Sequence, residues 1–180
     1  CLYIIISTIP VTISGILLKS FIEKKLADVK ILGFAFLLTA LSLYIVRNIK
    51  GNKNDNDITL KDAIIIGLFQ MFTILPGISR SGTVLVACLI RKLKIDTALK
   101  YTFMLYFPVS IGAMILGIND LISIPNFNLL LTPYLLGMCV SLIITLLSYK
   151  WLNNLVKNGK LIYFAYYVIF LAAFIFIYFR

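Results

Sequence analysis

Long uncharged runs divide this chain, and almost every charged residue falls in the short gaps between them. A helix that crosses a bilayer needs about 20 mostly apolar residues, with a range of about 17–25. Run length therefore predicts membrane-spanning helices at Leu2–Leu18, Ile31–Val46, Tyr101–Ile118, Leu129–Trp151 and Leu161–Phe179.

The composition indicates the same class of protein. Of the 180 residues, 61% are hydrophobic and the mean hydropathy is +1.02, whereas an ordinary soluble domain contains roughly 45–50% apolar residues. We therefore predict an all-α integral membrane protein, a polytopic helical bundle, and exclude a soluble domain, a disordered chain and a disulfide scaffold. Histidine is absent and the three cysteines lie far apart in apolar runs, so neither residue type predicts a metal or redox site.

Within about 60–93, the segment 63–90 is uncharged except for Arg80, and it differs from the other runs because Pro76-Gly77 interrupts it. Proline removes a helical donor and glycine permits a turn. As helices, 63–75 and 81–90 would be about 20 and 15 Å long, which is too short for a hydrocarbon core of about 30 Å. We predict two half-helices with a loop at mid-depth, arranged either as a re-entrant hairpin or as one broken crossing.

The distribution of lysine and arginine does not choose between these two arrangements. Apart from Arg80, 11 of the basic residues lie on one side and five on the other in the hairpin arrangement. In the broken crossing, the groups at 19–30 and 47–61 exchange sides, and each contains four. Both arrangements place 91–100 and 150–160 in the cytoplasm. Because these bases flank the apolar runs, the net charge of +10 indicates anionic lipid, not nucleic acid.

Arg80 is the one charge that stands inside an apolar stretch, in the sequence Pro-Gly-Ile-Ser-Arg-Ser-Gly-Thr at 76–83. A charge near the bilayer centre costs about 2.5–3.5 kcal/mol, and all seven acidic residues lie in the polar gaps. The surrounding hydroxyls and glycines, together with a helix N-terminus near Ser81, suit an anion, and a guanidinium fork suits two phosphate oxygens. We interpret the segment as a phosphate site. The alternative is an arginine that reaches to water or pairs with another helix.

The motif at 76–82 resembles the P-G-x-S-R-S-G motif of the bacterial undecaprenyl-diphosphate phosphatase family, the bacitracin-resistance type. Upstream, Gly67-Leu68-Phe69-Gln70 is similar to the family's G-x-x-Q segment. Downstream, 101–113 resembles its F-S-F-L-L…P…G-A helix, and Ile9-Pro10 with Gly15 resembles its I-P…G entry to an earlier helix. The resemblance covers essentially the whole chain and corresponds to the C-terminal two-thirds of the family.

This resemblance implies an inverted-repeat fold with two re-entrant hairpins, of which the chain would form the second half as a single transmembrane domain, 1–180. It implies hydrolysis of undecaprenyl diphosphate to undecaprenyl phosphate and phosphate in the bacterial cell membrane. This activity recycles the carrier lipid for the cell wall and contributes to bacitracin resistance. The active site would face outward and require a divalent cation, Mg or Ca. The oligomeric state is not specified, and a homodimer is one candidate.

Carried over residue by residue, the resemblance assigns catalytic roles to Arg80, Ser79 and Ser81. Arg80 would bind the diphosphate and stabilise charge as the terminal phosphoryl group leaves. The serine hydroxyls and adjacent amides would hold phosphate oxygens. Substrate binding is expected at Gly77, Gly82 and Thr83. Thr83 departs from the family's S-G-A-T pattern because its hydroxyl comes one position earlier.

The family's acidic E-x-x-x-E pair and its S-G-H segment are absent from this sequence. We therefore expect the metal ligands and the acid, base or nucleophile to lie outside the chain, which we interpret as a fragment that is inactive alone. A lipid-phosphate transporter or flippase is the alternative function, because broken helices are a transporter trait. A purely structural membrane fragment is a third.

Overall fold

The computed structural model describes residues 2–25, 29–122 and 127–178. Over these residues the fold is all-α, as predicted, and contains no β-strand. Phe179, the predicted end of the last span, lies outside the described residues, as do Cys1, Asp28 and Arg180, which are among the cysteine, acidic and basic residues counted above. The helices are α1 (Leu2–Lys25), α2 (Val29–Val46), α3 (Leu60–Met71), α4 (Arg80–Ile90), α5 (Ile95–Ile122), α6 (Phe127–Lys157) and α7 (Leu161–Tyr178).

Over its described residues, each of the five predicted membrane spans falls in a helix, and the protein is an integral membrane protein. Three segments are long and apolar enough to cross a membrane, namely Ile95–Ile115, Leu131–Lys157 and Leu161–Tyr178. α5 begins six residues before the predicted start at Tyr101. Its first turn contains Asp96, whose negative charge is favourable near the positive end of the helix dipole.

Helix α4 lies at the centre of the described bundle. Six consecutive residues of α4, 84–89, are buried, and the helix packs against α2, α3 and α5. A helix that is apolar and buried on every side is typical of a position surrounded by protein. In contrast, residues 131–151 of α6 are all exposed, and their apolar composition is typical of a surface that faces lipid.

The two ends of α3 and α4 that are farthest from Pro76-Gly77 lie side by side. Lys53, before α3, and Leu93, after α4, form an isolated parallel bridge. The Lys53 N–H donates to the Lys92 carbonyl at 2.9 Å, and the Lys94 N–H donates to the Lys53 carbonyl at 2.9 Å. α3 and α4 therefore form a helical hairpin, whereas a broken crossing would separate these ends by about 30 Å. That 1–180 is a single transmembrane domain stays a prediction.

Asp62 closes the base of this hairpin through a buried ionic cluster. Its fully buried carboxylate accepts hydrogen bonds from Lys53 Nζ at 2.8 Å and from Arg91 Nε at 2.6 Å. The N–H and hydroxyl of Thr59 donate to the same carboxylate at 3.0 and 2.9 Å, in a capping box that begins α3. Burial disfavours the charged form, but these donors outweigh burial and hold the pKa of Asp62 below its usual range.

Substitution of Asp62 tests whether this cluster holds the hairpin together. Asp62→Asn leaves two cations at the hairpin base without a counter-charge, and we expect it to lower the free energy of unfolding by about 3 kcal/mol at neutral pH. Unfolding in detergent, followed by circular dichroism, measures the change. Asp57→Asn is the control, because Asp57 is exposed and only caps a short turn; we expect less than about 1 kcal/mol.

The depressed pKa of Asp62 predicts the pH dependence of this difference. The folded pKa lies below the unfolded value of about 3.9. Ionised Asp62 therefore stabilises the fold fully above about pH 4, and this contribution is lost as the pH falls through the folded pKa. The stabilities of the wild type and of Asp62→Asn should converge in acid. A difference that stays constant down to about pH 2 would contradict the assignment.

Candidate anion-binding site at Arg80

The segment between α3 and α4 reverses direction at Pro76-Gly77. Gly77 has φ +89°, a backbone region that residues with a Cβ rarely adopt. A Cβ at Gly77 would lie 2.7 Å from the Leu32 side chain and 2.9 Å from the Ala35 Cβ, both on α2. Gly77 therefore permits both the turn and the close approach of the turn to α2.

Ser79 begins α4 by capping it. Its side-chain oxygen accepts a hydrogen bond from the Gly82 N–H at 3.2 Å, and its own N–H donates to Thr39 Oγ1 on α2 at 3.4 Å. The cap makes Arg80 the first residue of the helix. The amides of Arg80 and Ser81 have no intrahelical acceptor and lie at the positive end of the helix dipole.

Arg80 borders a cavity of about 340 Å³. Two buried polar atoms of residues that line it, Arg80 Nε and Gln70 Oε1, have no hydrogen-bond partner in the described part of the chain. The guanidinium carbon of Arg80 lies 5.6 Å from the centre of the Tyr106 ring, within range of a cation–π interaction. Buried polar groups are rarely left without partners, so these two atoms mark the place where a polar ligand would bind. The lining residues are Gln70, Arg80, Ser81, Val84, Thr102, Phe103, Leu105, Tyr106 and Thr145.

This cavity lies along the length of two long helices and not at their ends. Thr102 lies roughly 10 Å from the start of α5, and Thr145 lies roughly 18 Å from the end of α6, at 1.5 Å per residue. Both residues fall inside segments long and apolar enough to cross a membrane, Ile95–Ile115 and Leu131–Lys157. A position of Arg80 at mid-depth stays a prediction.

No carboxylate of a described side chain lines the Arg80 cavity. Asp62 pairs with Lys53 and Arg91 at the hairpin base. Two further ion pairs, Asp55 with Lys100 and Asp96 with Lys157, also lie outside the cavity. Arg80 thus has no ion-pair partner among the described residues. Of the two interpretations of Arg80, pairing with an acid on another helix receives no support from these contacts.

The six residues predicted for the site separate into two groups. Arg80 and Ser81 line the cavity, whereas Ser79, Gly77, Gly82 and Thr83 do not. Ser79 instead caps α4 and, with Gly82, borders an adjoining cavity of about 70 Å³, which shares Ser81, Thr102 and Phe103 with the first. A Cβ at Gly82 would lie 3.0 Å from Ser79 Oγ, so this glycine makes room for the cap. The catalytic and binding roles of all six residues stay predictions.

Four polar residues at this cavity, Gln70, Thr102, Tyr106 and Thr145, have no role predicted from the sequence. Gln70 and Thr102 lie in segments that carry the family resemblance, and Gln70 is also a lone amide in the apolar part of α3. Thr102 and Tyr106 lie four residues apart, which places them on one face of α5. Thr145 comes from α6, 65 positions after Arg80 in the numbering. Only Gln70 carried a local signal; helix packing brings the others to the site.

The divalent cation that the resemblance implies does not fit the described residues alone. Mg²⁺ and Ca²⁺ bind oxygen ligands and depend on carboxylates for affinity. The cavity offers neutral oxygens, such as Gln70 Oε1, beside the positive charge of Arg80, which repels a cation. Among the described residues no group of three or more acidic, cysteine or histidine side chains could hold a metal. We therefore derive no step through a metal.

These observations define a class of protein: an all-α membrane protein with a half-buried arginine, unpaired by any described acid, at the tip of a helical hairpin. Residues 1–174 match the family model described as "Bacitracin resistance protein BacA", and the chain belongs to this family. It is 44% identical over 168 residues to "Undecaprenyl-diphosphatase 2" of Bacillus thuringiensis (strain Al Hakam). It is 40% identical over 165 residues to "Undecaprenyl-diphosphatase 1" of Halalkalibacterium halodurans. The family resemblance expected from the sequence is confirmed.

These alignments cover most of this chain but only part of each relative. The first covers 93% of this chain and 62% of the Bacillus thuringiensis protein. The second covers 92% of this chain and 60% of the Halalkalibacterium halodurans protein. The chain therefore spans about three-fifths of the length of these curated relatives, and the activity of a whole protein is a matter of proposal.

The turn at Gly77 gives a direct test of how the site is positioned. Gly77→Ala places a Cβ at positive φ and against α2, and we expect it to lower the free energy of unfolding by about 1–2 kcal/mol or more. Thermal unfolding in detergent measures the loss. Gly137→Ala is the matched control, because nothing lies within 4 Å of a Cβ there and alanine is the better helix former. Equal effects at the two positions would contradict the role of Gly77.

Proposed function

We propose that this chain contributes the arginine half of an active site that hydrolyses undecaprenyl diphosphate to undecaprenyl phosphate and inorganic phosphate. The observation that carries the proposal is Arg80, whose buried Nε has no hydrogen-bond partner among the described residues and which borders a cavity. Membership of the BacA family and relatives named undecaprenyl-diphosphatase support it. The partners of the chain would then be a polyprenyl diphosphate lipid and the membrane.

The residues at the cavity suggest how the diphosphate would be held. The Arg80 guanidinium would donate two parallel hydrogen bonds to oxygens of the terminal phosphate and offset the charge that develops as the P–O bond breaks. The Ser81 hydroxyl and the first amides of α4 would donate to the remaining oxygens. Substrate binding would then satisfy donors that otherwise lack partners.

The apolar walls of the cavity would accommodate the start of the prenyl tail. Phe103 lines the Arg80 cavity and makes an edge-to-face contact with Tyr149 of α6, at 4.7 Å between ring centres. Phe107, four residues later on α5, instead lines a groove of about 570 Å³ beside Tyr3 and Ile4 of α1. Only Phe103 is therefore assigned to the tail near the phosphate.

We infer that the α3–α4 hairpin is re-entrant and that the Arg80 cavity faces the outside of the cell. The hairpin base lies at the end of the bundle that carries most of the lysine and arginine residues, which are typical of the cytoplasmic side. The tip then points toward the opposite face. This orientation would give the site access to diphosphate carried by the outer leaflet.

The rest of the active site would come from residues outside this chain. Around Arg80 the described residues provide no carboxylate, and the sequence contains no histidine. A bound Mg or Ca ion, with ligands elsewhere, would supply further charge compensation, and an acid, base or nucleophile would be added from the same source. A homodimer is one candidate assembly. A transporter function gains no support from the relatives, which are named diphosphatases.

Replacing the guanidinium fork while keeping its charge tests the role of Arg80. In a full-length protein that contains this chain, we expect Arg80→Lys to lower the rate of phosphate release from undecaprenyl diphosphate about 100-fold, because an ammonium group makes no bidentate contact. Lys92→Arg, at an exposed position beyond the far end of α4, is the control and should retain activity. Near-normal activity of Arg80→Lys would refute the role.

The 180-residue chain alone provides a second test. We expect the purified chain to bind undecaprenyl diphosphate without releasing phosphate, since the described cavity lacks a carboxylate or imidazole to activate an attacking group. Native mass spectrometry measures binding, and a colorimetric phosphate assay measures turnover. Sustained phosphate release by the chain would show that its own residues complete the site. Transbilayer movement of the lipid without hydrolysis would favour the transporter.

A further inference from the structure

A second cavity lies at the end of the bundle opposite the hairpin tip, where α2, α4 and α6 end and α5 and α7 begin. Its volume is about 680 Å³. Four basic residues line it, Arg47, Lys50, Lys94 and Lys157, together with a single acid, Asp96. Because Lys157 pairs with Asp96 at 2.6 Å, three cations remain around the cavity without an acid.

These three cations differ from other basic residues at the same end of the bundle. Lys53 and Arg91 pair with Asp62, and Lys100 pairs with Asp55. Arg47, Lys50 and Lys94 form no ion pair with any residue in the described ranges. The nearby acids are therefore already paired elsewhere, and the cavity keeps an excess of positive charge.

The positive charge at this cavity does not come only from lysines that water solvates, because part of the Arg47 guanidinium is buried. Its Nη1 atom is buried and has no hydrogen-bond partner among the described residues. The guanidinium lies 3.6 Å from the centre of the Tyr44 ring, so one face is covered by an aromatic side chain while the in-plane donor Nη1 lacks an acceptor. A buried donor without an acceptor is costly, and a ligand oxygen would relieve that cost.

The backbone holds the basic residues in place before any ligand binds. The loop that carries Lys50 is attached to the residues after α4 by the hydrogen bonds between Lys53 and 92–94. A Cβ at Gly51 would collide with the backbone of Leu93, so glycine allows this close approach. Lys50 and Lys94 are therefore brought to the same cavity by the fold itself, which lowers the cost of ordering them on binding.

We propose that this cavity binds a phosphate group through Arg47, Lys50 and Lys94. Guanidinium and ammonium groups are the usual donors to phosphate oxygens. α4 separates this site from Arg80 by about 16 Å along its axis, so it is distinct from the site proposed for the diphosphate. The apolar side chains of Val46 and Leu161 also line it, which suits the headgroup of an anionic phospholipid. Free phosphate shares this chemistry.

The test compares two pairs of substitutions in the purified chain, with Arg80→Gln in all samples so that the first site does not contribute. The chain is placed in nanodiscs of phosphatidylcholine with or without phosphatidylglycerol, and bound lipid is counted by native mass spectrometry. We expect Arg47→Gln with Lys94→Gln to weaken retention of phosphatidylglycerol by about tenfold or more. Lys61→Gln with Lys92→Gln removes the same charge from exposed positions outside the cavity and should change retention by less than about twofold.

The outcomes distinguish a lipid headgroup from free phosphate as the ligand, and they include results that would refute the proposal. Displacement of the lipid by inorganic phosphate would show that the site also accepts free phosphate, whereas retention would assign it to lipid headgroups. An equal loss in both pairs would overturn the proposal, because binding would then follow total charge; no loss in either pair would overturn it as well. If the variant with Arg47→Gln and Lys94→Gln does not fold, Lys94→Gln alone, at an exposed position, replaces it. Unchanged retention of phosphatidylglycerol by that variant would again overturn the proposal.

Discussion

The hairpin, and with it the position of Arg80, depends on the contacts of Asp62 at the hairpin base. One buried carboxylate accepts from Lys53, which precedes α3, and from Arg91, which follows α4. Since α3 and α4 have 12 and 11 residues, they are roughly 18 and 16 Å long. In the re-entrant arrangement proposed above, two arms of nearly equal length, joined at the base, would place the turn and Arg80 at about half the thickness of a bilayer core. A shift at the base would change the depth of Arg80.

The charged groups of Asp62 and Arg80 differ in how completely their buried atoms are paired, and this difference distinguishes a structural role from a ligand-binding role. Asp62 receives hydrogen bonds from two cations and from the N-cap residue Thr59, which leaves little capacity for a ligand. Arg80 has an aromatic ring nearby and a buried Nε without a partner. A saturated buried ion contributes to the fold, whereas an unsaturated one costs free energy that substrate binding can recover.

Features carried by local sequence were predictable, and features created by packing were not. Uncharged runs and Pro76-Gly77 predict the helices and the break, because length and proline act locally. The ion pairs of Asp62 with Lys53 and Arg91 were not predictable from the sequence. Arg91 is 29 positions from Asp62, and all three residues resemble charges in ordinary loops. Ser79 illustrates a different ambiguity. A serine that precedes a helix is equally suited to cap it and to bind phosphate, and only the contact with the Gly82 N–H identifies the cap.

A basic residue without an acidic partner means different things in the Arg80 cavity and in the cavity at the other end of the bundle, because the surroundings of the two cavities differ. At mid-depth, a cation without an acid is costly wherever it points, so Arg80 alone is informative. At the end of the bundle, water solvates lysines such as Lys50 and Lys94, and their lack of acids means little by itself. There the proposed phosphate site rests on Arg47, whose Nη1 is shielded from solvent and lacks an acceptor among the described residues. A basic residue near a membrane surface indicates a ligand site only when part of its charged group is removed from water.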